Sequence, residues 1–164
     1  MKAFLTIGLL FFIHTFALCQ AAKQTPCYYE NPSLNSENIF EKMEIPPNYE
    51  GSVDKLNGVL LNSINIERIL EDLPGNVRLF VDTLAVQFVI SKERKMSNLT
   101  VTMYQNAVLR EEIRKAIISS ACNWRPGVNG GRFLNGWFKK KLIFSLDRRG
   151  RFLSIRIEWV DMLN

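Results

Sequence analysis

Histidine is almost missing from this chain: the one copy in 164 residues, His14, lies inside an apolar N-terminal run. Everything after that run therefore has no imidazole to act as a nucleophile's base, a proton shuttle or a zinc ligand. Cysteine is scarce as well, with Cys19, Cys27 and Cys122 the three in the sequence. Without a histidine to activate it, Cys122 is a poor nucleophile. The adjacent acid pairs Glu71-Asp72 and Glu111-Glu112 point to different faces of a helix and do not converge as a general acid and base would. No glycine-rich loop is set to cradle a phosphate, since Gly127, Gly130 and Gly131 fit a turn between a helix and a strand. These absences point away from an enzyme, and no cofactor or metal is expected.

A long apolar span is also lacking. Met1-Lys2 and the run from Ala3 to Cys19 have the form of a secretory signal peptide, shorter than the ~20 residues of a membrane crossing. Cleavage is expected at Ala17-Leu18-Cys19, before Gln20, with Cys19-Gln20-Ala21 as a second candidate. An anchor of residues 3–19 that stays uncleaved is the alternative. Leu18 is bulkier than the residue that precedes a lipid-modified cysteine. Export into an oxidising compartment leaves Cys27 and Cys122 either joined as a disulfide, tying the N-terminal segment to the end of a helix, or with Cys122 as a small buried residue beside Trp124.

Charge is uneven. The formal net charge is +5, with Glu30, Glu37, Glu41, Glu44 and Glu50 marking the N-terminal segment. Arg132, Lys139, Lys140, Lys141, Arg148, Arg149 and Arg151 load the C-terminal part. That end either meets an anionic envelope surface or is a solvated strand face. Trp137-Phe138-Lys139-Lys140-Lys141 interleaves aromatic and basic residues as single-strand binders do, but alternation on a strand puts the two rings on opposite faces of a sheet. No nucleic-acid partner is expected of an exported chain.

Residues 20–50, rich in Asn, Pro, Glu and Ser, predict a mostly irregular arm with Tyr28, Tyr29, Ile39 and Phe40 able to dock and Ile45-Pro46-Pro47 as a stiff connection. Ser52 can cap a helix with apolar positions Val53, Leu56, Leu60 and Ile64, and the stripe continues through Ile66, Ile69, Leu70 and Leu73 until Pro74-Gly75. Leu84 to Ile90 predicts a strand buried on both faces, Ser91 to Lys95 a polar hairpin turn, and Met96 to Met103 its partner strand. Asn98-Leu99-Thr100 is a short glycosylation sequon that occurs often by chance. Asn106 can cap a helix whose apolar face holds Leu109, Ile113, Ala116, Ile117 and Ser120, closed near Asn123 by Pro126. A glycine turn at Gly130-Gly131 leads into a strand from Phe133 to Leu146.

A helix ending in Trp124-Arg125-Pro126-Gly127, the turn at Gly130-Gly131 and a long last strand closing on Phe144 resemble the C-terminal domain of TonB, the periplasmic energy-coupling protein. Leu84 to Ile90 and Met96 to Met103 look like that family's first two strands, so the resemblance covers roughly residues 51–144. It implies an α+β fold, a small antiparallel sheet of three family-like strands plus one extra C-terminal strand, with two main helices packed on one face. It also implies a structural role for Trp124, Pro126, Gly127, Gly130, Gly131 and Phe144. The domain plan is residues 1–19 signal, 20–50 arm, 51–146 TonB-like domain and 147–164 an extra hairpin strand. In the family, a protein partner, the peptide of an outer-membrane receptor, is bound by strand addition at the edge of the last strand. Here the chain turns at Asp147 to Gly150 and runs on through Leu153, Ile155, Ile157 and Trp159 in strand alternation, which would occupy that edge. The partner-binding candidates are therefore Lys139, Lys140, Lys141, Ile155, Ile157 and Trp159. A stand-alone envelope scaffolding protein with this fold is the alternative.

Overall fold

The computed structural model describes residues 27–29, 38–149 and 152–162; the expected signal segment lies outside them. The fold is α+β. Its backbone is two long strands, β3 (Leu79–Ile90) and β8 (Gly136–Arg149), paired antiparallel from Leu79↔Asp147 to Ile90↔Gly136. β4 (Met96–Thr102) pairs with the other edge of β3, and β9 (Phe152–Asp161) with the other edge of β8. The sheet expected as four antiparallel strands has a fifth, because β1 (Tyr28–Tyr29) adds parallel to β4, giving the order β1-β4-β3-β8-β9.

One face of the sheet is apolar and covered. Leu84, Val86, Phe88 and Ile90 of β3 and Phe138, Leu142, Phe144 and Leu146 of β8 are all buried there. They meet the apolar stripes of α1 (Val53–Ser63), α2 (Ile66–Asp72) and α3 (Ala107–Ser119) in one core. Each such side chain taken out of water contributes roughly 1.5–3 kcal/mol before entropy is counted. α1 starts at Ser52, whose side chain accepts from the Lys55 N–H at 3.1 Å, and α3 at Asn106, which accepts from Leu109 at 2.7 Å. Where two main helices were expected there are three. Ile64 is extended and Asn65 caps a new helix by accepting from the Arg68 N–H, so the single stripe from Val53 to Leu73 divides.

Two buried carboxylates hold these pieces in place. Asp82, on β3, accepts from the backbone N–H groups of Thr83, Gln105 and Asn106 at 2.8–3.1 Å, fastening the start of α3 to the sheet. Glu112, 3% exposed, accepts from Asn65 N–H, Arg68 and Lys115 and so ties α2 to α3.

The described part of the arm, residues 27–29 and 38–50, is more ordered than its composition suggests. β2 (Asn48–Tyr49) pairs antiparallel with β5 (Trp124–Arg125), and Ile45 exchanges both main-chain hydrogen bonds with Val128 of β6 (Gly127–Asn129). Phe40 bonds to Asn135 and Trp137, and a disulfide joins Cys27 to Cys122. β6 returns into β7 (Arg132–Leu134) through Gly130 and Gly131, both at positive φ (54° and 73°), the geometry a two-residue hairpin needs. The strand expected to run unbroken from Phe133 to Leu146 is thus interrupted at Asn135, and its continuation β8 runs three residues further, to Arg149.

Candidate partner-binding edge

β9 lies along the side of β8 away from β3, in register from Lys140↔Asp161 to Arg149↔Phe152. Which of its backbone groups face outward follows from β8. The Arg148 N–H donates to Arg78 on the β3 side, so even-numbered β8 residues direct their main-chain groups at β3 and odd-numbered ones at β9. Ser145, Ile143 and Lys141 pair with Arg156, Glu158 and Val160, which therefore bond back to β8. The outward groups belong to Leu153, Ile155, Ile157, Trp159 and Asp161. Among the described residues no further strand lies beyond them.

One polar side chain sits on that edge. Asn57 of α1 donates from Nδ2 to the Ile157 carbonyl at 3.1 Å and accepts from the Trp159 indole at 3.0 Å. Its amide offers the strand one donor in place of a neighbouring backbone, at the middle of the edge.

The candidate side chains divide between the two faces of the sheet. Ile155, Ile157 and Trp159 face the helices; Ile157 is buried, and the Trp159 ring packs edge-on to Phe138 at 5.6 Å. Their side chains belong to the core, and only their backbone is offered outward. The lysines do not form one patch. Alternation places Lys140 on the helix-covered face, where it pairs with Asp161 at 2.6 Å, and Lys139 and Lys141 on the other. Lys139 is bonded to Glu41 of the arm and lies 5.2 Å over the Trp137 ring, and its hydrogen bond holds the Glu41 carboxyl below the usual carboxylate range. On that open face Arg156 pairs with Glu158 at 3.2 Å, so its cations are partly neutralised.

The motif residues are structural. Trp124 is 1% exposed and meets Phe88, Phe138 and Tyr49 edge-on at 4.7, 4.8 and 5.5 Å, its indole N–H donating to Ser120. Phe144 is fully buried and Pro126 is buried, while Gly127 is bare because a Cβ there would fall 2.3 Å from the Met43 sulfur. Among the described residues no helix is long and apolar enough to cross a membrane, and no cluster of His, Cys, Asp and Glu is placed to hold a metal ion.

No family model, curated protein or solved structure matches the chain. Sequence reasoning missed Asn57 and Glu41. A lone Asn on the helix carries no signal until β9 is placed beside it, and Glu41 reads as one of several acids in a polar arm.

Proposed function

We propose that the chain is a protein–protein interaction module of the bacterial periplasm, and no enzyme, that binds an extended segment of an envelope partner by strand addition at the outer edge of β9. The observation that carries the reading is the ten-residue β9, paired on one side among the described residues and turning five residues' main-chain groups outward. Main-chain hydrogen bonds supply affinity in this mode. The resemblance to the TonB C-terminal domain favours a receptor peptide as the partner, with the binding edge moved one strand outward because β9 covers the family's own. The signal-like N-terminus and the Cys27–Cys122 bridge support export. The second reading, a scaffolding protein with no coupling role, is favoured by that same coverage.

Leu153→Pro tests the mode. Leu153 is 43% exposed and its N–H points away from β8, so proline there removes an outward donor while sparing the β8–β9 ladder. Labelled peptides from the periplasmic ends of outer-membrane receptors should bind the parent chain, lose affinity on Leu153→Pro, and gain it on Asn57→Ala, which uncovers the Ile157 carbonyl. Binding unaffected by either substitution would remove β9 from the reading. Absence of binding by all three would leave the scaffold.

A further inference from the structure

A groove lies where β3 ends and β8 begins, between the arm and the β6–β7 ribbon, with a volume of about 470 Å³. It mixes two kinds of lining. Ile45 and Phe133 are 51% and 63% exposed and form apolar walls. Arg94 and Arg125 face one lining carboxylate, Glu50, and Lys92, paired with Glu93 at 3.8 Å, is a third lining cation. The two guanidinium groups converge on that carboxylate, Arg94 at 2.7 Å and Arg125 at 2.9 Å, and these hydrogen bonds, Arg125's first, hold it below its usual range. Arg94 is fixed from behind. Its backbone lies in the left-handed region (φ 65°), its N–H bonds the Ser91 carbonyl and its Nε reaches the Trp124 carbonyl. A strained, multiply held backbone at a groove is a common way of presenting one side chain in a set direction.

We propose that this groove binds an acidic peptide segment of a partner protein, with one aliphatic or aromatic side chain between Ile45 and Phe133 and a carboxylate on Arg94 and Arg125. The chain's own Glu50 demonstrates the fit. Planar guanidinium forks suit carboxylates, and Glu50, delivered by the arm, occupies the place the partner's carboxylate would take. Lys92 adds attraction at longer range. The apolar walls require a side chain alongside the charge, which favours a peptide over a bare anionic surface. The inference does not depend on strand addition at β9.

The test is an NMR titration of the ¹⁵N-labelled, disulfide-bonded chain with acetyl-Asp-Leu-Asp-Leu-Asp-amide. Controls are its Asn-for-Asp counterpart and vesicles of phosphatidylcholine doped with phosphatidylglycerol. The acidic peptide should move the amides of Arg94, Arg125, Val128 and Phe133 and leave Leu153 to Trp159 in place. Arg125→Gln and Phe133→Ser should each weaken it about tenfold, a loss of about 1.4 kcal/mol. Glu50→Gln should tighten it by a similar factor, because the internal competitor loses its charge, and a gain of affinity cannot come from misfolding. No binding, an equal response to the neutral peptide, shifts confined to other surfaces, indifference to Glu50→Gln, or binding to the vesicles alone would each overturn the proposal.

Discussion

Removing the bridge between Cys27 and Cys122 perturbs the fold at one defined place, and its cost can be worked out in advance. The two residues are 95 apart in sequence, and a closed loop of that size withholds about 4.7 kcal/mol of chain entropy from the unfolded state. That is the ceiling for the double variant Cys27→Ser/Cys122→Ser. The measured loss should be smaller, because the freed end can detach locally while the rest stays folded, and this detachment returns entropy to the native side. Among the described residues that segment is also held by the two-residue pairing of β1 with β4, the Met96 N–H donated to the Cys27 carbonyl, an Arg114 N–H donated to the Tyr28 hydroxyl, the packing of Cys27 and Tyr28 on the core and Lys95 over the Tyr29 ring. Those contacts are weak enough to open in a fraction of molecules, so a loss of about 2–4 kcal/mol is expected. Urea unfolding followed by tryptophan fluorescence gives the global figure. Amide exchange gives the local one, since the Met96 N–H should become less protected in the variant while Val86 and Phe88 change only with global stability. A global loss under about 1 kcal/mol would refute the loop argument, and unchanged protection at Met96 would refute local detachment.

Trp124→Ala should cost ~3–5 kcal/mol in the same unfolding assay, because three ring contacts disappear into a cavity; Ser120 keeps its bond to the Ile117 carbonyl, so no orphaned hydroxyl adds to the loss. Glu112 gives a pH dependence of known sign. Burial raises its carboxyl, but the Asn65 N–H, Lys115 and Arg68 outweigh burial and leave it below its ordinary value. Its contribution is therefore complete above the unfolded carboxyl's pKa of about 4.3 and is lost as pH falls through the lower, folded value. Glu112→Gln should lose ~1–3 kcal/mol at neutral pH and show a flatter decline in stability below about pH 4.3 than the parent; a parallel decline would remove Glu112 from the acid response. Gly127→Ala should push Met43 and the Ile45 carbonyl away, releasing the arm, and limited proteolysis should then cut between residues 40 and 47 sooner than in the parent.

The elements legible in the sequence were those fixed by local chemistry. Ser52 and Asn106 announce helix starts because a short polar side chain before an apolar stripe can satisfy the first N–H groups. Gly130-Gly131 announces a hairpin because two consecutive positive φ values exclude most other residues. What stayed hidden depends on partners distant in the chain. Ile45, Asn48 and Tyr49 become strand-like through β6 and β5, more than 70 positions away, and no local pattern encodes that pairing. Asp82 falls before the strand expected from Leu84, and its role emerges only when Gln105 and Asn106 turn their N–H groups towards it. The three lysines, grouped among the partner-binding candidates by adjacency in sequence, divide between the two faces because a strand's period of two separates Lys140 from its neighbours. The β9 edge was half legible: its alternation showed, and the Asn57 that sits on it did not.

That edge shows how a sheet of this kind avoids indiscriminate pairing. A ten-residue strand with a free side is a template for any other strand, including a second copy. Here the outward main-chain groups of Leu153 and Ile155 lie on one side of the Ile157 carbonyl that Asn57 engages, and those of Trp159 and Asp161 on the other. An incoming strand finds two short stretches and not one long one, and to pair along the whole edge it must displace the Asn57 amide from both Ile157 and Trp159. Displacement costs two hydrogen bonds, each worth about 1 kcal/mol net, and a partner that continues past that point regains main-chain bonds on both sides of it. A short accidental contact does not. Under the proposed strand addition at β9, the same residue that shields the edge would set a length requirement for the segment admitted to it, separating selective pairing from aggregation without any side-chain pocket on the outer edge.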